Sequence, residues 1–338
     1  MDTKEFEYYL PQELIAQTPV EPRDSSRLLV VDRADKTIKE GCFSQILGFL
    51  TPGDVLVLND TRVMPARLWG RGHGGGKVEL LLLKDLGNGR WEALVRPGRK
   101  LAPGTEIFVG QEIPVTVLER TGYGGRIIAF PSPEAGNQAI RTSGEVPLPP
   151  YIKRRLSDPE RYQTVFAERE GSSAAPTAAL HFTQELLQAI QKKGVAISYI
   201  TLHMGLGSFR PIREERLEEH TLPLEYYSVP QAAAAQINEA RNKECRVIAC
   251  GTGVVRALET VATGGVVQQG EGTTDLFIAP GYKFKVADRL ITNFHLPRSS
   301  HLVLVSAFAG RELVYQAYQY AIEHKFRFYS FGDSMLIL

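Results

Sequence analysis

The sequence predicts an α/β main domain built on a partly parallel, mixed sheet and interrupted by a small antiparallel β barrel or sandwich. Three observations predict it. Helix-like and strand-like segments alternate after residue 150. Short β-like runs broken by Gly and Pro fill residues 62–150. The stretch before residue 62 again contains apolar strands, so residues 1–61 are expected to join 151–338 in one domain around an insertion. With 338 residues, of which 43% are hydrophobic and 23% charged, the chain can bury sizeable cores and is not a disordered polymer.

In chain order, residues 27–32 and 54–58 are apolar runs of strand length. Five short runs follow at 78–83, 91–96, 105–109, 113–119 and 126–130, separated by breaks such as Gly87-Asn88-Gly89 and Pro103-Gly104. Pro147-Leu148-Pro149-Pro150 ends this region, because it can continue neither a helix nor a central strand. Thr183 is placed to cap a helix that buries Leu186, Leu187 and Ile190 and stops at Gly194. Residues 195–202 read as strand, 230–243 as an alanine-rich helix and 246–250 as a short buried strand. Gly251-Thr252-Gly253 then turns into a helix near 254–262, and a last helix covers 312–325.

Several function classes drop out early. No apolar run approaches the roughly 18 residues of a membrane-spanning helix. The opening Met1-Asp2-Thr3-Lys4-Glu5 lacks the pattern of a secretory leader. Cys42, Cys245 and Cys250 show no C-x-x-C spacing, which argues against a disulfide framework or structural zinc, so a cytoplasmic protein is expected. The seven histidines form no H-E-x-x-H pattern, and no metal site is expected. Net charge is only +1, yet residues 62–100 carry nine Lys/Arg against three Asp/Glu. That local excess is either a solvated face or a polyanion-binding surface.

Five turns are polar enough to hold chemistry. Asn59-Asp60-Thr61-Arg62, leading to Arg67, offers an amide, a carboxylate, a hydroxyl and guanidinium groups; its plain alternative is an Asx turn at a strand end. The small-residue stretch from Gly171 to Thr183, containing Thr177 and His181, suits close backbone approach to a bound nucleoside or anion. His203 follows a strand and precedes Gly205, Gly207 and Arg210. Asn293 and His295 lie in Thr292-Asn293-Phe294-His295, and Asp333 follows Gly332 near the C-terminus. Each histidine is a general-base candidate near neutral pH or a satisfied structural residue. Gly251-Thr252-Gly253 is a fragment of a dinucleotide fingerprint and leaves a nicotinamide oxidoreductase open as an alternative.

Together the segments are far more specific. Tyr9-Leu10-Pro11-Gln12-Glu13-Leu14, Asn59-Asp60-Thr61-Arg62-Val63, Leu94-Val95-Arg96-Pro97-Gly98, Pro147-Leu148-Pro149-Pro150-Tyr151-Ile152, Ala174-Ala175-Pro176-Thr177, Leu180-His181-Phe182-Thr183, Thr292-Asn293-Phe294-His295-Leu296-Pro297 and Gly332-Asp333 occur in that order through almost the whole chain. This arrangement closely resembles the S-adenosylmethionine:tRNA ribosyltransferase-isomerase family of queuosine biosynthesis. It departs from the family pattern at Ser173, Ala179, Gly253-Val254 and Leu222-Pro223, where the family has Val, Gly, Thr-Ser and Met-His.

The resemblance implies a mixed or barrel-like α/β domain, residues 1–61 and 151–338, with an inserted β barrel at 62–150. It implies transfer and isomerisation of the S-adenosylmethionine ribosyl group onto 7-aminomethyl-7-deazaguanine at the wobble position of a GUN-anticodon tRNA. S-Adenosylmethionine is then a consumed co-substrate, no other cofactor is expected, and the protein is expected to be a monomer. Candidate catalytic residues are His203, His295, Asp333 and Asp60; the two carboxylates would need burial to raise their pKa. Asn59, Arg62, Arg67, Thr177, His181, Arg210 and Asn293 are candidates for substrate binding. Arg96, Arg99, Lys100, Lys153, Arg154 and Arg155 are candidates for RNA contact. A non-catalytic tRNA-binding protein is the remaining alternative.

Overall fold

A computed structural model describes residues 1–122, 124–205 and 211–338. The chain forms two compact units, Met1–Arg62 with Pro149–Leu338, and Val63–Leu148.

The larger unit is built on a nine-stranded sheet. Its spatial order is Gly270–Thr274, Glu225–Val229, Ala196–Leu202, Val55–Asn59, Val247–Cys250, Arg289–Asn293, Ser334–Ile337, Arg27–Asp32 and Thr37–Cys42. The four strands from Ala196–Leu202 to Arg289–Asn293 run parallel. Ser334–Ile337 is antiparallel to Arg289–Asn293 and parallel to Arg27–Asp32, so the sheet is mixed.

The sequence of the central strands explains their position. Val55–Asn59 and Val247–Cys250 are buried at every residue, as strands covered on both faces must be. Their side chains alternate between two cores with the period of two that a strand imposes. Val55, Val57, Val247 and Ala249 enter one core, formed with the helices Gln231–Asn242, Thr252–Val261, Ser300–Ala309 and Arg311–Glu323. Leu56, Leu58, Ile248 and Cys250 enter the other, formed with the helix Gln184–Lys192 and the 3₁₀ segment Phe43–Phe49. The Gln184–Lys192 helix starts as expected: the Thr183 hydroxyl accepts the Leu186 N–H at 3.1 Å, and Leu186, Leu187 and Ile190 are buried.

The smaller unit is a closed six-stranded antiparallel barrel. Its order is Arg126–Ala129, Arg90–Arg96, Lys77–Gly87, Arg67–Gly72, Glu106–Val109 and Ile113–Arg120, which returns to Arg126–Ala129. Closure leaves no free sheet edge. Two elements here were not expected from the sequence, the strand Arg67–Gly72 and a helix. The helix Pro133–Ser143, capped by Ser132, places Ala139 and Ile140 in the barrel core.

Candidate active site

The four parallel strands end at one edge of the sheet. From Val55–Asn59 the chain goes first to Ala196–Leu202 on one side and later to Val247–Cys250 on the other, so the connections diverge and leave a crevice. A cleft of about 650 Å³, counted out to bulk solvent, opens there. Its walls include Asn59, Cys250 and Asn293 at strand ends, Met204 just beyond one, and Ala175 to Ala178 from the small-residue stretch.

Gly251, at φ +95°, turns the strand directly into the helix Thr252–Val261, whose first residues Thr252, Gly253 and Val254 line the cleft. Ser299 lines it too and caps the Ser300–Ala309 helix by accepting the Leu302 N–H at 3.2 Å. Two helix N-termini, each with partial positive charge, therefore border the cavity.

Asn59 bonds to both neighbouring strand ends. Its amide donates to the Leu202 carbonyl at 2.9 Å and accepts from the N–H groups of Leu202 and Thr61 at 3.0 and 3.1 Å, which locks two strand ends together. Asn293 accepts the Thr177 hydroxyl at 2.9 Å and donates to His181 Nε2 at 3.3 Å. His181 itself lies behind the cleft wall, with Nδ1 2.7 Å from the Ser26 hydroxyl. Burial, aided by Arg327 and Arg23, pushes its pKa down to about 3, so it stays neutral and can accept from Asn293.

Of the catalytic candidates only His295 lines the cleft. Its Nε2 is 2.7 Å from the Thr292 hydroxyl, and its ring lies 5.2 Å from that of His301. Burial, and then His301, holds the His295 pKa well below the ordinary imidazole value. His301 pairs with the Thr252 hydroxyl at 2.9 Å; burial and Arg256 push its pKa down to about 4, against an opposing effect of Glu225.

The other candidates are placed elsewhere. His203 lies outside the lining, 2.7 Å from the Thr61 hydroxyl and stacked on Tyr226. Gly171 leaves room for its ring: a Cβ there would stand 2.5 Å from His203 Nε2. Burial, then Arg169, pushes its pKa down to about 4. Asp60 accepts the Thr201 hydroxyl at 2.6 Å, and burial raises its pKa against that bond and the Arg169 charge. Asp333, also raised by burial, accepts the N–H groups of Arg327 and Arg27. Arg62 is paired with Glu160, and Arg67, in the barrel unit, with Glu79 at 3.0 Å. Arg96 and Arg99 are exposed on the barrel unit, and Lys153, Arg154 and Arg155 on the larger one. Arg210 and the Lys100 side chain lie outside the described residues.

The structure thus gathers Asn59, Thr177, Asn293 and His295 and leaves the other described candidates outside the cleft lining. Sequence reading missed His301, Tyr329 and Ser330 as lining residues. The Ser299 cap could have pointed to His301, since it starts a helix directly after the Thr292–His295 turn. Among the described residues, no group of three His, Cys, Asp or Glu is arranged to hold a metal ion.

This geometry can be set against known proteins. A profile described as queuosine biosynthesis protein matches residues 3–337. The chain is 54% identical over 342 residues to the S-adenosylmethionine:tRNA ribosyltransferase-isomerase of Moorella thermoacetica, covering both chains fully. The chain belongs to the S-adenosylmethionine:tRNA ribosyltransferase-isomerase family of queuosine biosynthesis. The family relative from Symbiobacterium thermophilum is 53% identical, again over the full length of both chains. A crystal structure of S-adenosylmethionine tRNA ribosyltransferase from Thermotoga maritima is similar with a TM-score of 0.57 and 39% identity, over 99% of this chain and 100% of that one. Membership supports a transferase-isomerase and displaces the nicotinamide and non-catalytic alternatives.

The buried imidazoles make stability depend on pH. His181, His203 and His301 have folded pKa values near 3 to 4, below the ordinary 6.5, so the unfolded chain binds more protons between those limits. Their contribution is fully present above pH 6.5 and is lost on acidification toward pH 4, on the order of 1 kcal/mol per pH unit for each. Asp60 and Asp333, raised by burial, act in the opposite sense and soften the loss. Urea midpoints should therefore fall steadily from pH 6.5 to 4.5; a flat profile would contradict these assignments.

Proposed function

We propose that this chain transfers and isomerises the ribosyl group of S-adenosylmethionine onto 7-aminomethyl-7-deazaguanine at the wobble position of a GUN-anticodon tRNA. The product is epoxyqueuosine-tRNA, with adenine and methionine released. S-Adenosylmethionine is consumed, and the reading requires no resident cofactor. It places a monomer in the cytoplasm, with catalysis in residues 1–61 and 151–338 and an RNA-contacting barrel at 62–150. No helix among the described residues is long and apolar enough to cross a membrane.

The observation that supports this reading is the cleft at the ends of the parallel strands, with the neutral His295 in its wall. The sulfonium acidifies the neighbouring ribose 5′ C–H. In our reading a nitrogen of His295 takes that proton, leaving the electron pair on carbon. The sulfonium becomes an ylide in which the new carbanion offsets the positive sulfur, while the imidazole gains one positive charge, so the net charge of the site is unchanged and a poorly solvated site does not oppose the transfer. The carbanion pair forms the C4′–C5′ double bond as the C4′–O4′ bond breaks. The ring oxygen becomes a C1′ carbonyl as the bond from C1′ to adenine breaks, with the imidazolium returning its proton to the leaving base. Attack by the aminomethyl nitrogen and departure of methionine complete the transfer. Asn293, oriented by Thr177 and His181, and the helix N-termini hold the nucleoside. The deciding experiment is mass spectrometry of precursor tRNA incubated with protein and S-adenosylmethionine. An unmodified precursor base, with an active control enzyme working in parallel, would overturn the proposal.

The exposed Arg96 and Arg99, with Lys100 beside them, serve as phosphate contacts in this reading. Replacing all three by alanine should weaken tRNA binding and flatten its salt dependence by roughly one unit of log–log slope per lost contact. S-Adenosylmethionine affinity should hold. An unchanged slope would return these residues to the role of a solvated face.

A further inference from the structure

The loop 327–333, between the last helix and the Ser334–Ile337 strand, is tied shut. The Asp333 carboxylate accepts the Arg327 N–H at 2.7 Å and the Arg27 N–H at 3.0 Å, while the Asp333 N–H donates to the Arg327 carbonyl at 2.7 Å. Its two ends are thus joined to each other and fastened to the Arg27–Asp32 strand. Gly332 allows the closure, because a Cβ there would lie 2.4 Å from the Arg327 carbonyl oxygen.

Inside this loop Tyr329 sits at φ +71°. A bulky aromatic rarely adopts that left-handed conformation, and such strain persists only where surrounding bonds over-determine it. Here the Asp333 clamp supplies those bonds. Tyr329 is only 6% exposed, lines the cleft, and meets the Tyr151 ring at a centroid distance of 4.7 Å. Tyr151 also lines the cleft, and its hydroxyl is fixed 2.8 Å from that of Ser330. Two rings with little freedom are therefore built into one wall of the cavity.

We propose that Tyr329, with Tyr151, is the contact surface for the flat heterocycle of a substrate, and that Asp333 is the positioning residue that holds Tyr329 in place. The inference rests on the ribosyl-transfer reading, in which both substrates carry such a heterocycle: adenine in S-adenosylmethionine and deazaguanine in the RNA. A rigid aromatic wall suits either, since every such ring system offers a π face. This gives Asp333 a task without proton transfer, which agrees with its absence from the cleft lining.

The test compares Tyr329→Leu, Tyr329→Phe and Asp333→Asn in two direct binding arms. One arm titrates S-adenosylmethionine by calorimetry. The other follows fluorescence anisotropy of an anticodon stem-loop carrying the 7-aminomethyl-7-deazaguanine base. Tyr329→Leu should weaken one arm by about 10-fold or more, the scale of a lost base–aromatic contact, and Tyr329→Phe should stay within about threefold of wild type. The arm that moves identifies the heterocycle. Asp333→Asn, which turns one acceptor into a donor facing an N–H, should weaken that same arm and spare the other. A purely structural lesion would weaken both arms together. Should Tyr329→Leu fail to fold, Tyr151→Leu carries the same comparison. Tyr329→Leu binding both probes as tightly as wild type would overturn the proposal, as would Tyr329→Phe losing as much as Tyr329→Leu. Wild-type protein that bound neither probe would instead overturn the ribosyl-transfer reading itself.

Discussion

His295→Gln should lower single-turnover adenine release by about 10²–10⁴-fold, the range for a lost general base, and leave S-adenosylmethionine affinity nearly unchanged. The glutamine amide can keep the bond to the Thr292 hydroxyl, which stands 2.7 Å from His295 Nε2, so the fold has no reason to suffer. What disappears is the proton acceptor in the cleft wall. His203→Gln is the matched comparison. His203 contacts Thr61, Tyr226 and Gly171 and does not line the cleft, so its loss should cost stability more than turnover. Its Nδ1 partner would be left short of a bond, at about 1–3 kcal/mol. Thermal melts and adenine release measured on both variants separate the roles. Normal turnover in His295→Gln with a collapse in His203→Gln would move the base to His203.

The two histidines illustrate what the chain makes legible. Both follow a strand that points at the same sheet edge, and both sit beside polar residues, so sequence alone could not rank them. The difference arises from Gly171 and Thr61, which hold His203 from positions 32 and 142 residues away in sequence. Local signals fared better. The Thr183 cap, the apolar periodicity behind it and the apolar run at 54–58 depend on neighbours in sequence, and the structure repeats them. The Pro133–Ser143 helix carried a clear start signal in Ser132-Pro133-Glu134, but the β texture on its N-terminal side masked it. The insertion of Ser334–Ile337 between Arg289–Asn293 and Arg27–Asp32 is a long-range choice with no local trace. The same holds for Tyr329, which reaches the cleft only because the Asp333 clamp bends the loop into it.

Arg256→Met should destabilise the protein by about 3–5 kcal/mol, the scale of removing one member of a buried ion pair. Arg256 interrupts the apolar run Val254-Val255-Arg256-Ala257-Leu258, and a charged side chain is ordinarily left in water. The structure instead buries it to 4% exposure, against a Glu225 at 3%. Arg256 is ion-paired with Glu225 and donates to the Leu276 carbonyl at 2.9 Å. The other Glu225 oxygen accepts the Gly205 N–H at 2.8 Å. The pair therefore links a helix whose first residues line the cleft to the chain just beyond Met204, another lining residue. Arg256→Met/Glu225→Leu should recover most of the lost stability in urea denaturation, since well-packed apolar groups replace buried ions with little penalty. S-Adenosylmethionine affinity should not recover with it, because the double variant still lacks the carboxylate that holds Gly205. If both quantities return together, the pair serves stability alone. If the double variant is as unstable as Arg256→Met, the buried charge on Glu225 is not what the single substitution exposes, and the loss must come from the packing of the arginine stem.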